Sequence, residues 1–137
     1  MMARERLPNR REHEVFDFVF SRGPHDPVGT RYTAGLGWAA PGAPVTEIFL
    51  DCDKLASAMT DDARDIAVIL SIALQHGVPL APIRAALTKL ESGEPAGLAG
   101  RLLAEIEARA PEAFEPRPGD PGGHAPAPVV ADVEAAR

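Results

Sequence analysis

The chain reads as an α+β domain: a three-stranded antiparallel sheet followed by about three helices packed on one face. Three observations predict this. Apolar residues repeat every second position up to Leu50 and every third or fourth position after Thr60. Strand-like segments come first and helix-like segments after, the order of a layered α+β fold rather than of alternating βαβ units. Short Gly/Pro-containing turns join the strand-like segments, which favours a sequential antiparallel meander.

The first strand spans Val15 to Phe20. Phe16, Phe18 and Phe20 alternate, so all three point to one face and Asp17 to the other. Gly23-Pro24-His25-Asp26-Pro27 then breaks the chain. The second strand runs from Thr30 to Trp38, with Tyr32, Ala34, Leu36 and Trp38 on one face. Gly35 and Gly37 share the other face and leave room for a bulge or for a group packed closely above the sheet. Pro41-Gly42-Ala43-Pro44 makes a turn into the third strand, Val45 to Leu50.

The long helix begins at Thr60 as cap, with Asp61 and Asp62 in its first turn, where a helix carries partial positive charge. Ala63, Ile66, Ala67, Leu70, Ala73 and Leu74 form its apolar stripe, with Ile69 beside it. Gly77 suits the position just past its end, and Pro79 prevents continuation. A second helix is predicted over residues 80–90, burying Leu80, Ile83, Leu87 and Leu90. A third is predicted over residues 98–109, with Leu98, Leu102, Leu103 and Ile106 inward. The Phe16/Phe18/Phe20 and Tyr32/Leu36/Trp38 rows should meet the Ile66/Leu70/Leu74 stripe.

The domain is expected over residues 13–110, between a basic arm at residues 1–12 and a disordered Pro/Gly-rich tail at 111–137. The tail has too little apolar content to offset the entropy of ordering it, with Phe114 and Val129-Val130 the residues that would dock if it did order. The net charge of −6 opposes nonspecific nucleic-acid binding and anionic membranes. In the arm, however, Arg4, Arg6, Arg10 and Arg11 face only Glu5 within the first eleven residues. No apolar run reaches membrane-spanning length, the N-terminus lacks a signal-peptide pattern, and the lone Cys52 suits a reducing compartment, so a cytoplasmic protein is expected.

Residues that carry chemistry are sparse. A single cysteine makes neither an intramolecular disulfide nor a multi-cysteine zinc site. Asp51 and Asp53 flank it and disfavour a thiolate, which points to a structural role. The four histidines lack metal-ligand spacing, and His76 sits in the last turn of the long helix, where the dipole favours its protonated form. Asp61, Asp65 and His76 make a candidate polar site, but no nucleophile accompanies them, and acids in a first turn ordinarily balance the helix dipole. Gly35-Leu36-Gly37 lacks the third glycine and following helix of a dinucleotide motif. No catalytic residue, metal or cofactor is therefore expected.

Four segments, taken in order, carry a family resemblance: Arg4 to Arg11 (RERLPNRR), Arg31 to Gly37 (RYTAGLG), Thr46 to Leu50 (TEIFL) and Ser71 to Leu80 (SIALQHGVPL). The chain resembles the TSCPD-type domain near the C-terminus of vitamin B12-dependent (class II) ribonucleotide reductases, and more closely the short stand-alone proteins related to that region. The similarity covers roughly residues 4–107. It departs at Lys54-Leu55-Ala56-Ser57, where the family has Lys-X-Gly-Ser, and at Ala96-Gly97-Leu98-Ala99-Gly100, where it favours Ser-Gly-Pro-Leu-Gly. The family's cysteine cluster is absent here.

The resemblance implies an association with deoxyribonucleotide synthesis and not catalysis, because ribonucleotide reduction needs a radical cysteine, a redox cysteine pair and a large cofactor-binding barrel. The leading expectation is a non-catalytic accessory or interaction domain that binds a protein partner or a nucleotide. The alternative is a phosphate- or nucleic-acid-binding protein using Arg4, Arg6, Arg10, Arg11 and Arg31, with Lys54 and Ser57 at the following turn. A homodimer is also expected, through a strand edge or an exposed sheet face, because a three-stranded sheet leaves both needing cover.

Overall fold

A computed structural model describes residues 13–53 and 57–116 of the chain. Three strands, β1 (His13–Phe20), β2 (Thr30–Trp38) and β3 (Val45–Cys52), precede three helices, α1 (Ala58–Gln75), α2 (Leu80–Ala86) and α3 (Leu98–Arg109), and a 3-10 turn at Pro111–Phe114. The sheet is antiparallel in the order β1-β2-β3. This is the predicted α+β architecture, with β1 and β3 each two residues longer than the alternation alone suggests.

Register decides the core. Phe16 stands opposite Ala34, Phe18 opposite Tyr32, and on the other side Tyr32 stands opposite Cys52, Ala34 opposite Leu50 and Leu36 opposite Ile48. Directly paired residues of an antiparallel sheet point to the same face, so these side chains form one apolar layer. Tyr32, Ala34, Leu36, Ile48, Leu50 and Cys52 are all buried in it. From the helices, Ala63, Ala67, Leu70 and Leu74 of α1, Leu80 of α2, and Leu98, Leu102, Leu103 and Ile106 of α3 complete the core. The bulge anticipated at the glycines lies between Gly37 and Trp38, where the β2–β3 register shifts.

α1 starts one turn earlier than expected. Its cap is Ser57, whose hydroxyl accepts from the Thr60 amide at 3.2 Å, while Thr60 is a buried first-turn residue. Its end matches expectation. The Gly77 amide donates to Leu74 O and the Val78 amide to Ala73 O, a Schellman closure that requires Gly77 at φ 81°. Ile69, placed beside the apolar stripe, is instead exposed.

Two expectations are corrected. The second helix stops at Ala86 rather than at residue 90. The Lys89 ammonium donates to the carbonyls of Arg84, Ala85 and Leu87, which closes the helix end, and Leu90 turns outward into a short turn in which its amide donates to Glu94 O. The domain also does not end at residue 110. Pro111–Phe114 is a 3-10 turn whose Ala113 and Phe114 are buried in the core. Burial of the Phe114 ring and of Ala113 offsets part of the entropy of ordering these residues, and the turn's own backbone bonds, Ala113 N–H to Ala110 O and Glu115 N–H to Glu112 O, add to it. The rest of the predicted tail, residues 117–137, lies outside the described residues, as do the arm at 1–12 and Lys54.

Candidate functional site

The sheet face opposite the core carries the candidate site. Its side chains form rows across the strands. His13, Gly37 and Glu47 make one row, Val15, Gly35 and Phe49 the next, and Asp17, Thr33 and Asp51 the third. The middle row is apolar and open: Val15 is 68% exposed and Phe49 51% exposed. The Phe49 ring lies over Gly35, where a Cβ would meet Phe49 Cδ2 at 3.4 Å, a close but ordinary contact. The predicted close packing above the two glycines is thus supplied by Phe49 over Gly35 and by Glu47 and His13 over Gly37.

α1 forms the other wall. It runs along β3, and two of its side chains bond to outward peptide groups of that strand. The Ser71 hydroxyl accepts from the Ile48 amide at 2.8 Å and donates to Ile48 O at 3.1 Å, and Gln75 Nε2 donates to Thr46 O at 3.1 Å. Val68 and Ile72, on the adjacent stripe of the same helix, remain exposed beside Phe49. Together they line a groove of about 670 Å³ whose floor is Gly35 and Phe49.

Several polar side chains around this floor are engaged with one another. Arg64 pairs with Asp51 at 3.3 Å. Asp17 accepts from Thr33 Oγ1 at 2.8 Å and pairs with Arg31 at 3.4 Å, and Arg31 Nε lies 3.9 Å from Asp53. Arg31, named from the sequence as a phosphate ligand, is therefore already faced by two carboxylates. Ser57, its companion in that reading, caps α1.

Asp61 and Asp65 stand one turn apart near the start of α1, and His76 follows its last residue, about 16 Å beyond Asp65 at the helical rise. The helix therefore does not gather these three side chains at one point. His76 Nδ1 lies 3.0 Å from Ile72 O and donates to it, a helix-end contact. Cys52 carries a buried thiol in the core layer and forms no disulfide. Among the described residues, no group of three or more His, Cys, Asp or Glu side chains is placed to hold a metal ion.

One cluster was not legible from the sequence. Each phenylalanine of β1 carries a guanidinium over its ring: Arg109 at 3.8 Å from the Phe16 centroid, Arg101 at 5.4 Å from Phe18, and Arg22 at 5.3 Å from Phe20. Glu105 lies between Arg101 and Arg109, at 2.9 and 3.0 Å. Burial raises the carboxyl's pKa, but the hydrogen bonds and charges of the two arginines outweigh that and hold it below the ordinary glutamate value. The signal was present as the i, i+4, i+8 spacing of Arg101, Glu105 and Arg109, but only the tertiary fold lays that stripe against β1.

No family model, no curated protein and no solved structure matches the chain. No helix among the described residues is long and apolar enough to cross a membrane.

Proposed function

We propose that the chain is a non-catalytic interaction module, of the kind its sequence resembles in association with adenosylcobalamin-dependent ribonucleotide reductase, and that it docks a protein partner in the groove between the outer sheet face and α1. One observation carries this reading. Val15, Phe49, Val68 and Ile72 stand exposed side by side in a concave surface, while the polar groups at its margin are paired within the fold. An apolar, concave, pre-formed surface with internally satisfied polar groups favours burial against another apolar surface over chemistry on a bound substrate. The phosphate-binding alternative is less well supported, because Arg31 would have to leave both Asp17 and Asp53 to hold an anion.

The test is direct binding of the full chain to a purified adenosylcobalamin-dependent reductase, followed by calorimetry. Saturable binding is expected, weakened at least tenfold by Phe49→Asp. No heat with the reductase would remove the reductase-associated reading. Ribonucleotide turnover by the chain alone, with adenosylcobalamin and a dithiol, would overturn the non-catalytic one.

A further inference from the structure

The two outer strands of the sheet are treated differently, and the difference identifies a second surface. Because the Ile48 amide and carbonyl both meet Ser71, they point away from β2, so the Leu36–Ile48 pair is of the non-hydrogen-bonded kind. Backbone direction alternates along a strand, so Leu36, Ala34 and Tyr32 direct their peptide groups at β1. The Asp53 amide donating to Arg31 O agrees, since odd-numbered residues of β2 then face β3. Through the β1–β2 register, Glu14, Phe16, Phe18 and Phe20 bond to β2. His13, Val15, Asp17 and Val19 direct their amides and carbonyls outward. Among the described residues, no hydrogen bond from another element reaches these outward groups.

β1 has eight residues, HEVFDFVF, with no proline, no lysine and no bulge, the usual devices that keep an edge strand from pairing. We infer that β1 pairs antiparallel with β1 of a second copy about a two-fold axis, joining two three-stranded sheets into one of six. The two surfaces share Val15, whose side chain lines the groove while its peptide group faces the open edge, but the pairing rests on backbone bonds and is tested without any reductase.

Charge selects the register. Keeping both core layers on the same side requires a residue to face itself across the axis, and the two longest such registers centre on Phe16 or on Asp17. Centring on Asp17 sets two carboxylates directly opposite each other, which is unfavourable. Centring on Phe16 sets Val15 opposite Asp17 of the second copy, so the outward peptide groups of both are paired. It sets the half-buried Phe16 rings against each other at the axis, each already stacked by its Arg109. It also brings Glu14, whose own contact to Arg109 is long at 3.8 Å, opposite the second copy's Phe18, over which that copy's Arg101 lies. Two such Glu14–Arg101 contacts form, related by symmetry.

Light scattering of the full chain at micromolar concentration should give twice the mass of one chain. Val15→Pro removes only an outward amide and leaves the β1–β2 ladder intact, so it should give the single-chain mass with a melting temperature within a few degrees of the parent's. Glu14→Lys should raise the dissociation constant at least tenfold. Phe49→Asp, on the groove, should leave the dimer unchanged. Should the proline variant fail to fold, hydrogen exchange on the unaltered chain gives the same answer: the amides of Val15, Asp17 and Val19 should become more protected as concentration rises. A single-chain mass at every concentration, fast exchange of those amides throughout, or dissociation by Phe49→Asp would overturn the inference.

Discussion

The β3 flank and the β1 flank of this sheet face the same physical problem, and the helices solve it only once. On the β3 side, α1 lies along the strand and offers Ser71 and Gln75 to its peptide groups, so the edge is closed at Thr46 and Ile48 from within the chain. On the β1 side, α3 offers long arginines instead. Arg101 and Arg109 cover the phenylalanine rings and leave the peptide groups of His13, Val15, Asp17 and Val19 facing outward. A short hydroxyl at a helix surface reaches a neighbouring backbone, whereas a guanidinium on a long stem settles on an aromatic face. The choice of side chain on the covering helix thus decides whether a strand edge is an internal contact or an available surface.

The largest effect should come from the segment that seals the end of the β3 flank. Ala113 borders a small cavity with Val45 and Leu74, and Phe114 beside it is buried. Phe114→Ala should cost about 3–5 kcal/mol, by chemical denaturation. Deleting residues 112–137 should cost at least as much, contrary to the expectation that the whole tail is dispensable. Deleting only residues 117–137 should test whether that expectation survives for the remainder.

Next comes a direct test of the two edges. Ser71→Ala leaves the Ile48 amide without its partner and should destabilise by about 1–3 kcal/mol. Val15→Ala on the open edge, measured at a concentration low enough to hold the chain as single copies, should change stability by less than about 0.5 kcal/mol. Equal effects would mean that the edges are not distinguished in the way described.

The arginine stripe should contribute less. Arg109→Gln removes the cation over Phe16 and the pairs with Glu105 and Glu14, and should cost about 1 kcal/mol, since the group is partly exposed. The smallest effect is a pH dependence. The folded-state pKa of Glu105 lies below its unfolded value, so its stabilisation is present above the ordinary glutamate range and is lost as pH falls through the folded-state value. Thermal melts of Glu105→Gln and the parent should therefore differ at pH 7 and converge toward pH 3 or below.

Much of the domain was legible in advance. The alternation of Phe16, Phe18 and Phe20 and of Tyr32, Leu36 and Trp38, and the stripe ending at Gly77, determine the core-facing rows and the end of α1, because each is a local pattern with one geometric solution. Helix ends governed by a side chain reaching back, such as Lys89 onto the carbonyls of α2, were not readable, since a flexible ammonium has no fixed sequence spacing to its acceptors. Nor was the burial of Phe114, which depends on how the turn folds back against α3 and α2. The open row of Val15 and Phe49 was likewise decided by tertiary structure alone. Alternation places both on the face away from the core, but only β-sheet register sets them beside each other over Gly35, and only the position of α1 adds Val68 and Ile72 to make a groove. Sequence determines which side chains share a face of a strand or helix because that follows from backbone period. Which faces are then covered depends on how the elements stack, and among the described residues the helices cover one face and part of one edge of the sheet.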